Sequence, residues 1–227
     1  MRFLYGLLML FSTACLAAPQ QVKLVYEVTR NGQPFATVTE TFQQQDSHYQ
    51  IESLTEGKGV YALFGKRRLS SEGEVTAQGL RPLHFALQQG DKKPVDADFD
   101  WAAGTLTMQS TAKAKSQTAQ LEEGTQDLLS YAYQFMFRPP QGDEITVPVT
   151  TGKKLRAYQY RVVEKEVSAD TPAGAFKTLH LANHSPTGDE SKELWLGVDK
   201  NYVVVRRSMK DENGAQIEQT LSSLHVK

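Results

Sequence analysis

The sequence predicts a mainly β protein: one strongly curved antiparallel sheet, an open barrel or roll, wrapped around a single buried helix at about residues 125–138. Three observations carry that expectation. Apolar and polar residues alternate with a period of two along most of the chain, as in Val22, Leu24, Tyr26 and Val28, which marks half-buried strands. The alternating runs are separated by short turn signals, with none of the βαβ rhythm that builds a parallel sheet. One stretch, GTQDLLSYAYQFMFRPPQGDE at 124–144, breaks the alternation and reads as a helix that is apolar over most of its circumference.

The chain opens MRFLYGLLMLFSTACLAAPQQ. A short positive start, an apolar run from Phe3 to Phe11 and a small-residue region to Ala18 have the layout of a secretory signal peptide. Residues 1–17 are therefore expected to be removed by cleavage after Ala17, which places small residues at Cys15 and Ala17; a cut after Ala18 would put Pro19 next to the scissile bond. The rival reading makes Cys15 a lipid-anchored cysteine, but Ser12 stands where a lipobox usually carries leucine. The apolar run is short for a bilayer span, and no later segment approaches ~18 apolar residues, so the protein is not expected to be transmembrane. These features point to the periplasm. Cleavage leaves residues 18–227, expected as a single antiparallel β domain without cysteine, held together by its core alone. The formal net charge of −1 gives no general attraction to nucleic acid.

After the strand at Val22–Val28, Asn31-Gly32 signals a tight hairpin, because both residues tolerate positive φ. Phe35–Gln43 is the returning strand and Ser47–Thr55 the third. Gly57–Gly65, GKGVYALFG, reads as a loop or one helical turn, expected to pack on the sheet through its apolar residues. Strands follow at Leu69–Thr76, Leu83–Gln89, Val95–Trp101 and Thr105–Ser110. Residues 111–120 are polar and weakly patterned. Beyond the helix come Ile145–Thr151, Lys154–Ser168, Phe176–Asn183, Ser191–Val198, Tyr202–Lys210 and Gln216–Leu224, roughly a dozen strands in all. So many sequential antiparallel strands must curl, close or split.

In the helix, Thr125 suits the N-cap, Glu122, Glu123 and Asp127 favour the positive end, and Pro139-Pro140 stop it. At about 100° per residue, Asp127, Ser130, Gln134 and Arg138 form one narrow polar stripe. The remaining apolar arc spans roughly 200°, twice the stripe of ~100° that a surface helix buries. Two readings follow. The helix fills the concave side of the sheet as core, or part of its arc walls an apolar cavity.

No residue constellation points to catalysis. His180 and His184 are four apart, but TLHLANH alternates as a strand, which sets them roughly 13 Å apart. Asp96, Asp98 and Asp100 share a strand face, too widely spaced to ligate one ion together. There is no GxSxG elbow, P-loop or GxGxxG fingerprint. A protein without enzymatic activity, cofactor or metal is expected. Trp195 lies opposite Leu194 and Leu196, either as rim packing or as part of a ligand site.

The order of VYEVTRNGQPFATVTETF, HYQIES, the turn at Gly79–Pro82, Phe99–Trp101, QDLLSYAYQF and the GAFKT–ELWLGVDKNYVVVR ending resembles the bacterial domain-of-unknown-function family 3108 over nearly the whole mature chain. The resemblance implies an exported Gram-negative envelope protein of mainly antiparallel β structure, and supplies no catalytic residues. Its general plan is similar to that of periplasmic carriers of lipid-linked cargo, a fold-level analogy.

The leading functional expectation is a non-enzymatic binding or carrier protein for a hydrophobic or amphipathic envelope molecule, such as a lipid. The alternative is a scaffold or accessory protein that binds another envelope protein, and the third is a hydrolase with an unrecognised site. Tyr61, Phe64, Leu129, Tyr133 and Phe137 are the expected lining of an apolar cavity, Tyr131 could aim its hydroxyl inward, and Arg67 and Arg68 are the expected headgroup contacts.

Overall fold

The computed structural model describes residues 19–110, 115–184, 191–210 and 213–227. The expected signal segment, Cys15, the start of the 111–120 stretch and the side chain of His184 lie outside the described residues. The strands are β1 (Gln21–Arg30), β2 (Gln33–Gln45), β3 (His48–Gly57), β4 (Arg67–Thr76), β5 (Gly79–Gln89), β6 (Val95–Asp100), β7 (Thr105–Ser110), β8 (Lys115–Gln120), β9 (Gln126–Asp127), β10 (Glu144–Thr150), β11 (Leu155–Thr171), β12 (Gly174–His184), β13 (Ser191–Gly197), β14 (Val203–Lys210) and β15 (Gln216–Val226). They form one sheet in the order β8-β7-β6-β5-β4-β3-β2-β1-β15-β14-β13-β12-β11-β10-β9. Sequential hairpins thus march outward in both directions from the central β1–β15 pair. The sheet does not close. Its two edges, β8 and β9, are consecutive in the chain, and the one α-helix among the described residues follows directly after β9. Every pairing is antiparallel except β9 with β10.

Local signals explain the hairpins. Asn31 and Gly32 both take positive φ, 50° and 76°, as the tight turn requires. In β4, a register shift falls between Glu72 and Gly73, and a Cβ on Gly73 would stand 2.2 Å from the backbone oxygen of Arg81 and 2.9 Å from Cα of Pro82. Neither neighbour can rotate away. Gly73→Ala is expected to cost about 1–3 kcal/mol, read as a lower urea midpoint with an unchanged slope.

The helix α1 spans Ser130–Phe137, shorter than the expected 125–138. Residues 126–127 are instead β9, drawn into backbone pairing with Val149 and Thr150 of β10. Thr125 is not the cap either; its hydroxyl donates to the Glu122 carbonyl (2.7 Å). Asp127 does the capping from within the core. Its Oδ1 accepts from the backbone N–H groups of Leu129 and Ser130, both at 2.8 Å, and its other oxygen accepts from Ser71 Oγ at 2.5 Å. Asp127 therefore belongs to the buried interior rather than to a solvated stripe.

The broad apolar arc is enclosed as its angular spread demands. Ser130, Tyr131, Ala132, Tyr133, Phe135 and Met136 are all buried. Tyr133 and Met136 pack into a core built from β1–β7 together with Ala169, Val203, Val205 and Leu221 of β11, β14 and β15, while Tyr131, Ala132 and Phe135 pack into a second core built from β10–β14. The helix thus joins the two arms of the curved sheet. Its C-terminal end is held at the β4–β5 turn, where Gln134 Nε2 donates to the Gln78 carbonyl (3.0 Å) and Arg138 to the Gln78 side chain (2.7 Å).

The connection after β3 also departs from expectation. Residues 59–64 form a 3-10 segment, but it does not pack on the sheet with its apolar side chains. Val60, Leu63 and Phe64 are 71%, 88% and 71% exposed, and Tyr61 alone leans on Phe35, with ring centroids 4.6 Å apart. A six-residue segment between two strand ends is too short to fold these side chains back under the sheet.

Candidate functional site

The helix does not fill the whole concave side. Between its N-terminal end and the strand ends that carry the β3–β4 connection lies a cavity of about 300 Å³. Leu128, Leu129, Tyr131 and Glu40 form its floor. Its walls come from β2–β4 on one side and β13–β15 on the other. Thr55, Lys192 and Met209, at strand ends, stand at its mouth.

The walls combine apolar side chains with an unusual inward set of charges. In β2 the inward positions run Ala36, Val38, Glu40, Phe42, so a carboxylate occupies an apolar phase and is 2% exposed. In β14, Arg207 sits in the inward phase opposite Leu194. Arg67, Leu69 and Ser71 are the inward positions of β4. Glu40 Oε2 accepts from the Tyr133 hydroxyl (3.0 Å), and its other oxygen lies 3.8 Å from Arg207 Nη1. That is a loose ion pair for a buried site. The Nε of Arg207 and Oε1 of Gln219 are buried without a hydrogen-bond partner. Burial, the largest single influence, opposes the charge on Arg207, but Glu40 together with Tyr131, Tyr26 and Tyr133 outweighs it and holds the pKa above the ordinary guanidinium value. Burial lowers the pKa of Arg67, and Glu40 acts on it in the opposite direction; it remains a cation at neutral pH. Among the described residues Arg67 has no ion pair or side-chain hydrogen bond. At the mouth, the Lys192 ammonium lies 3.9 Å from the Tyr158 ring centroid.

The expected site residues are only partly brought together. Leu129, Tyr131 and Arg67 line the cavity. Tyr133, two residues beyond Tyr131 in α1, does not line the cavity but holds Glu40 in place. Phe137 is at the far end of the helix, tilted against Phe42 with centroids 5.8 Å apart. Tyr61 and Phe64 belong to the rim segment and do not line the cavity. Arg68 points to the opposite face of β4 and is exposed, as alternation requires of the neighbour of an inward residue. Glu40, Ser53 and Gln219 were not singled out from the sequence, and Arg207, one of the adjacent basic pair Arg206-Arg207, reads there as a solvated strand face rather than as a buried cation. Their signal was a polar residue standing in the apolar phase of an alternating strand. Of the other candidates, Trp195 stacks on His180 at 4.2 Å, His180 pairs with Glu193 (2.8 Å), and Asp98 pairs with His84 (2.7 Å). Removing only the hydroxyl that steadies Glu40, Tyr133→Phe, is expected to lower stability by about 1 kcal/mol in urea unfolding.

Fold and site together define a class: a mainly β protein whose open, curved sheet encloses one helix and an internal cavity. The sequence profile of the family described as "Protein of unknown function (DUF3108)" matches residues 25–222, and the chain belongs to that family. A comparison with curated proteins finds no match. Among solved structures, the chain is similar to a "putative lipoprotein" from Parabacteroides distasonis, with a TM-score of 0.39 and 14% identity over 91% of this chain and 97% of that one. A likeness of that level carries no argument about function. Among the described residues no helix is long and apolar enough to cross a membrane.

Proposed function

We propose that this protein is a non-enzymatic binding or carrier protein of the cell envelope, exported to the periplasm, that holds an amphipathic molecule inside its curved sheet. One observation carries the reading. The cavity of about 300 Å³ is lined by apolar and polar side chains together and holds two inward arginines, Arg67 and Arg207, against the buried carboxylate Glu40; Lys192 and Glu193 also line it, the latter paired with His180. A buried ion pair is poor evidence of stabilisation, since taking both charges out of water costs several kcal/mol. A loose one with an unused buried donor is what a site awaiting a polar ligand group looks like. The volume is at the lower end of the ~300–1,000 Å³ typical of small-molecule sites, which suits a single chain or ring system rather than a two-chain lipid.

The test is native mass spectrometry of the protein purified from the periplasm, with solvent extraction of any adduct. A stoichiometric amphipathic adduct is the expected result. A clean apo mass, with no rise in melting temperature on adding envelope lipids, would sink the carrier reading.

A further inference from the structure

We infer that the cavity selects an anionic headgroup, a carboxylate or phosphate monoester on a single apolar chain, with Arg67 as its principal contact. The inference rests on the carrier reading and adds the chemical class of the ligand. Arg67 and Arg207 both act on Glu40, and with Lys192 and Glu193 the lining carries three cations against two carboxylates, of which Glu193 is paired with His180. Glu40 is already committed to the Tyr133 hydroxyl and to Arg207. Arg67 is half-buried and presents five N–H donors that no described side chain accepts. The buried Nε of Arg207 is likewise unused. A planar guanidinium matches carboxylate and phosphate with two parallel hydrogen bonds. An alcohol or ester group would leave the second cation uncompensated. The aliphatic part of such a ligand meets Val38, Leu69, Leu129, Leu194 and Ile217.

The experiment titrates the protein with decanoic acid, decyl phosphate and methyl decanoate by calorimetry at neutral pH. The expected result is that at least one anion binds about tenfold or more tightly than the ester, and the two anions show which headgroup is preferred. Arg67→Met should bring the anion-to-ester ratio close to one, while Arg67→Lys, which keeps charge without the fork, should leave an intermediate ratio. Equal affinity for acid, phosphate and ester in the wild type overturns the anion selectivity and leaves the carrier reading standing. An unchanged ratio in a folded Arg67→Met variant overturns the role of Arg67. No binding of any of the three overturns both selectivity and carrier reading.

A separate observation carries a second proposal. We propose that the 3-10 segment Gly59–Phe64 docks on an anionic lipid surface. Val60, Leu63 and Phe64 form one exposed apolar cluster, unlike singly scattered surface apolar residues. The β5–β6 turn is tied to it: Gly90 N–H donates to the Lys66 carbonyl (2.8 Å) and Gln89 Nε2 to the Phe64 carbonyl (3.1 Å). The cluster is therefore ringed by exposed Lys58, Lys66, Arg68, Lys92 and Lys93, against only Glu56 and Asp91. Apolar side chains inside a basic ring complement an anionic membrane surface. Thr55 and Arg67, which flank the segment in the chain and pair across β3 and β4, line the cavity, so docking would bring the mouth to the lipid.

Co-sedimentation with phosphatidylglycerol vesicles and with phosphatidylcholine vesicles tests this. Binding to the anionic vesicles alone is expected, and Leu63→Asp should lower the partition coefficient about tenfold or more. Leu63 is 88% exposed, so an unchanged melting temperature confirms that folding is not the cause. Absence of binding, equal binding to both vesicles, or binding that Leu63→Asp does not alter overturns the proposal. Co-purification of one envelope protein that Leu63→Asp abolishes, without vesicle binding, assigns the patch to a protein partner instead.

Discussion

Arg207→Met is expected to destabilise the fold by about 3 kcal/mol at neutral pH, the low end of the ~3–5 kcal/mol seen when one partner of a buried pair is removed. The low end applies because the Arg207 side chain is 20% exposed and its separation from Glu40 is 3.8 Å. The loss arises less from the missing attraction than from Glu40, left 2% exposed with one hydroxyl and the more distant Arg67. Adding Glu40→Gln to Arg207→Met should therefore restore most of the stability, because the uncompensated charge is gone. Urea unfolding of the two single variants and the double variant reads the coupling directly. Additive losses would mean that the two side chains do not sense each other and that the charges are placed for another reason.

Asp127→Ala is the other large expected effect, about 3 kcal/mol. It removes the acceptor for two backbone N–H groups at the start of α1 and for Ser71 on β4, all in the dry interior. An N-cap contributes about 1 kcal/mol, and stranding further buried donors adds roughly 1–3 kcal/mol. Asp127 also links the helix to the sheet, so the Ala variant should lose ligand loading as well as stability. Asp127→Asn keeps an acceptor and should cost less. Its pH dependence has a definite sign. Burial raises the Asp127 carboxyl pKa, while its hydrogen bonds pull the other way without cancelling the rise. A raised folded-state value stabilises most below the unfolded value of about 3.9, and that contribution is lost as pH rises through the folded value. The advantage of the wild type over Asp127→Asn should therefore be greatest in acid and shrink toward neutrality. An advantage that grows with pH would contradict this assignment.

The fold was legible because its strands announce themselves. Val22 to Val28 and Leu194 to Leu196 alternate cleanly, Asn31-Gly32 fixes a turn, and Pro139-Pro140 ends the helix region. The helix start was not legible, because Gln126 and Asp127 have no strand pattern of their own; they become β9 only by pairing with β10, a long-range contact. The exposure of Val60, Leu63 and Phe64 was also hidden, since apolar composition does not say whether a short connection can reach the core. For the site, the alternation that turns Arg67 inward and Arg68 outward, and that sets Glu40 and Arg207 in apolar phases, lies in the chain. Arg67 and Arg68 were nevertheless both expected at the headgroup, and the alternation was not used for Glu40. What no pattern in the chain could give is that these inward charges, from strands far apart in sequence, converge on one cavity above the helix.

On the carrier reading, this cavity is a ligand site and not slack packing. Ser53 lines it from β3 and is 6% exposed, so Ser53→Trp would fill it from the wall. The most direct measurement is titration of wild type and Ser53→Trp with the amphipathic fluorescent anion anilinonaphthalene sulfonate, alongside their melting temperatures. A ligand site predicts saturable one-to-one binding to the wild type, competed by decanoic acid, and loss of that binding in Ser53→Trp with the melting temperature held or raised. Identical titrations for the two proteins, or no saturable binding to the wild type, would contradict it.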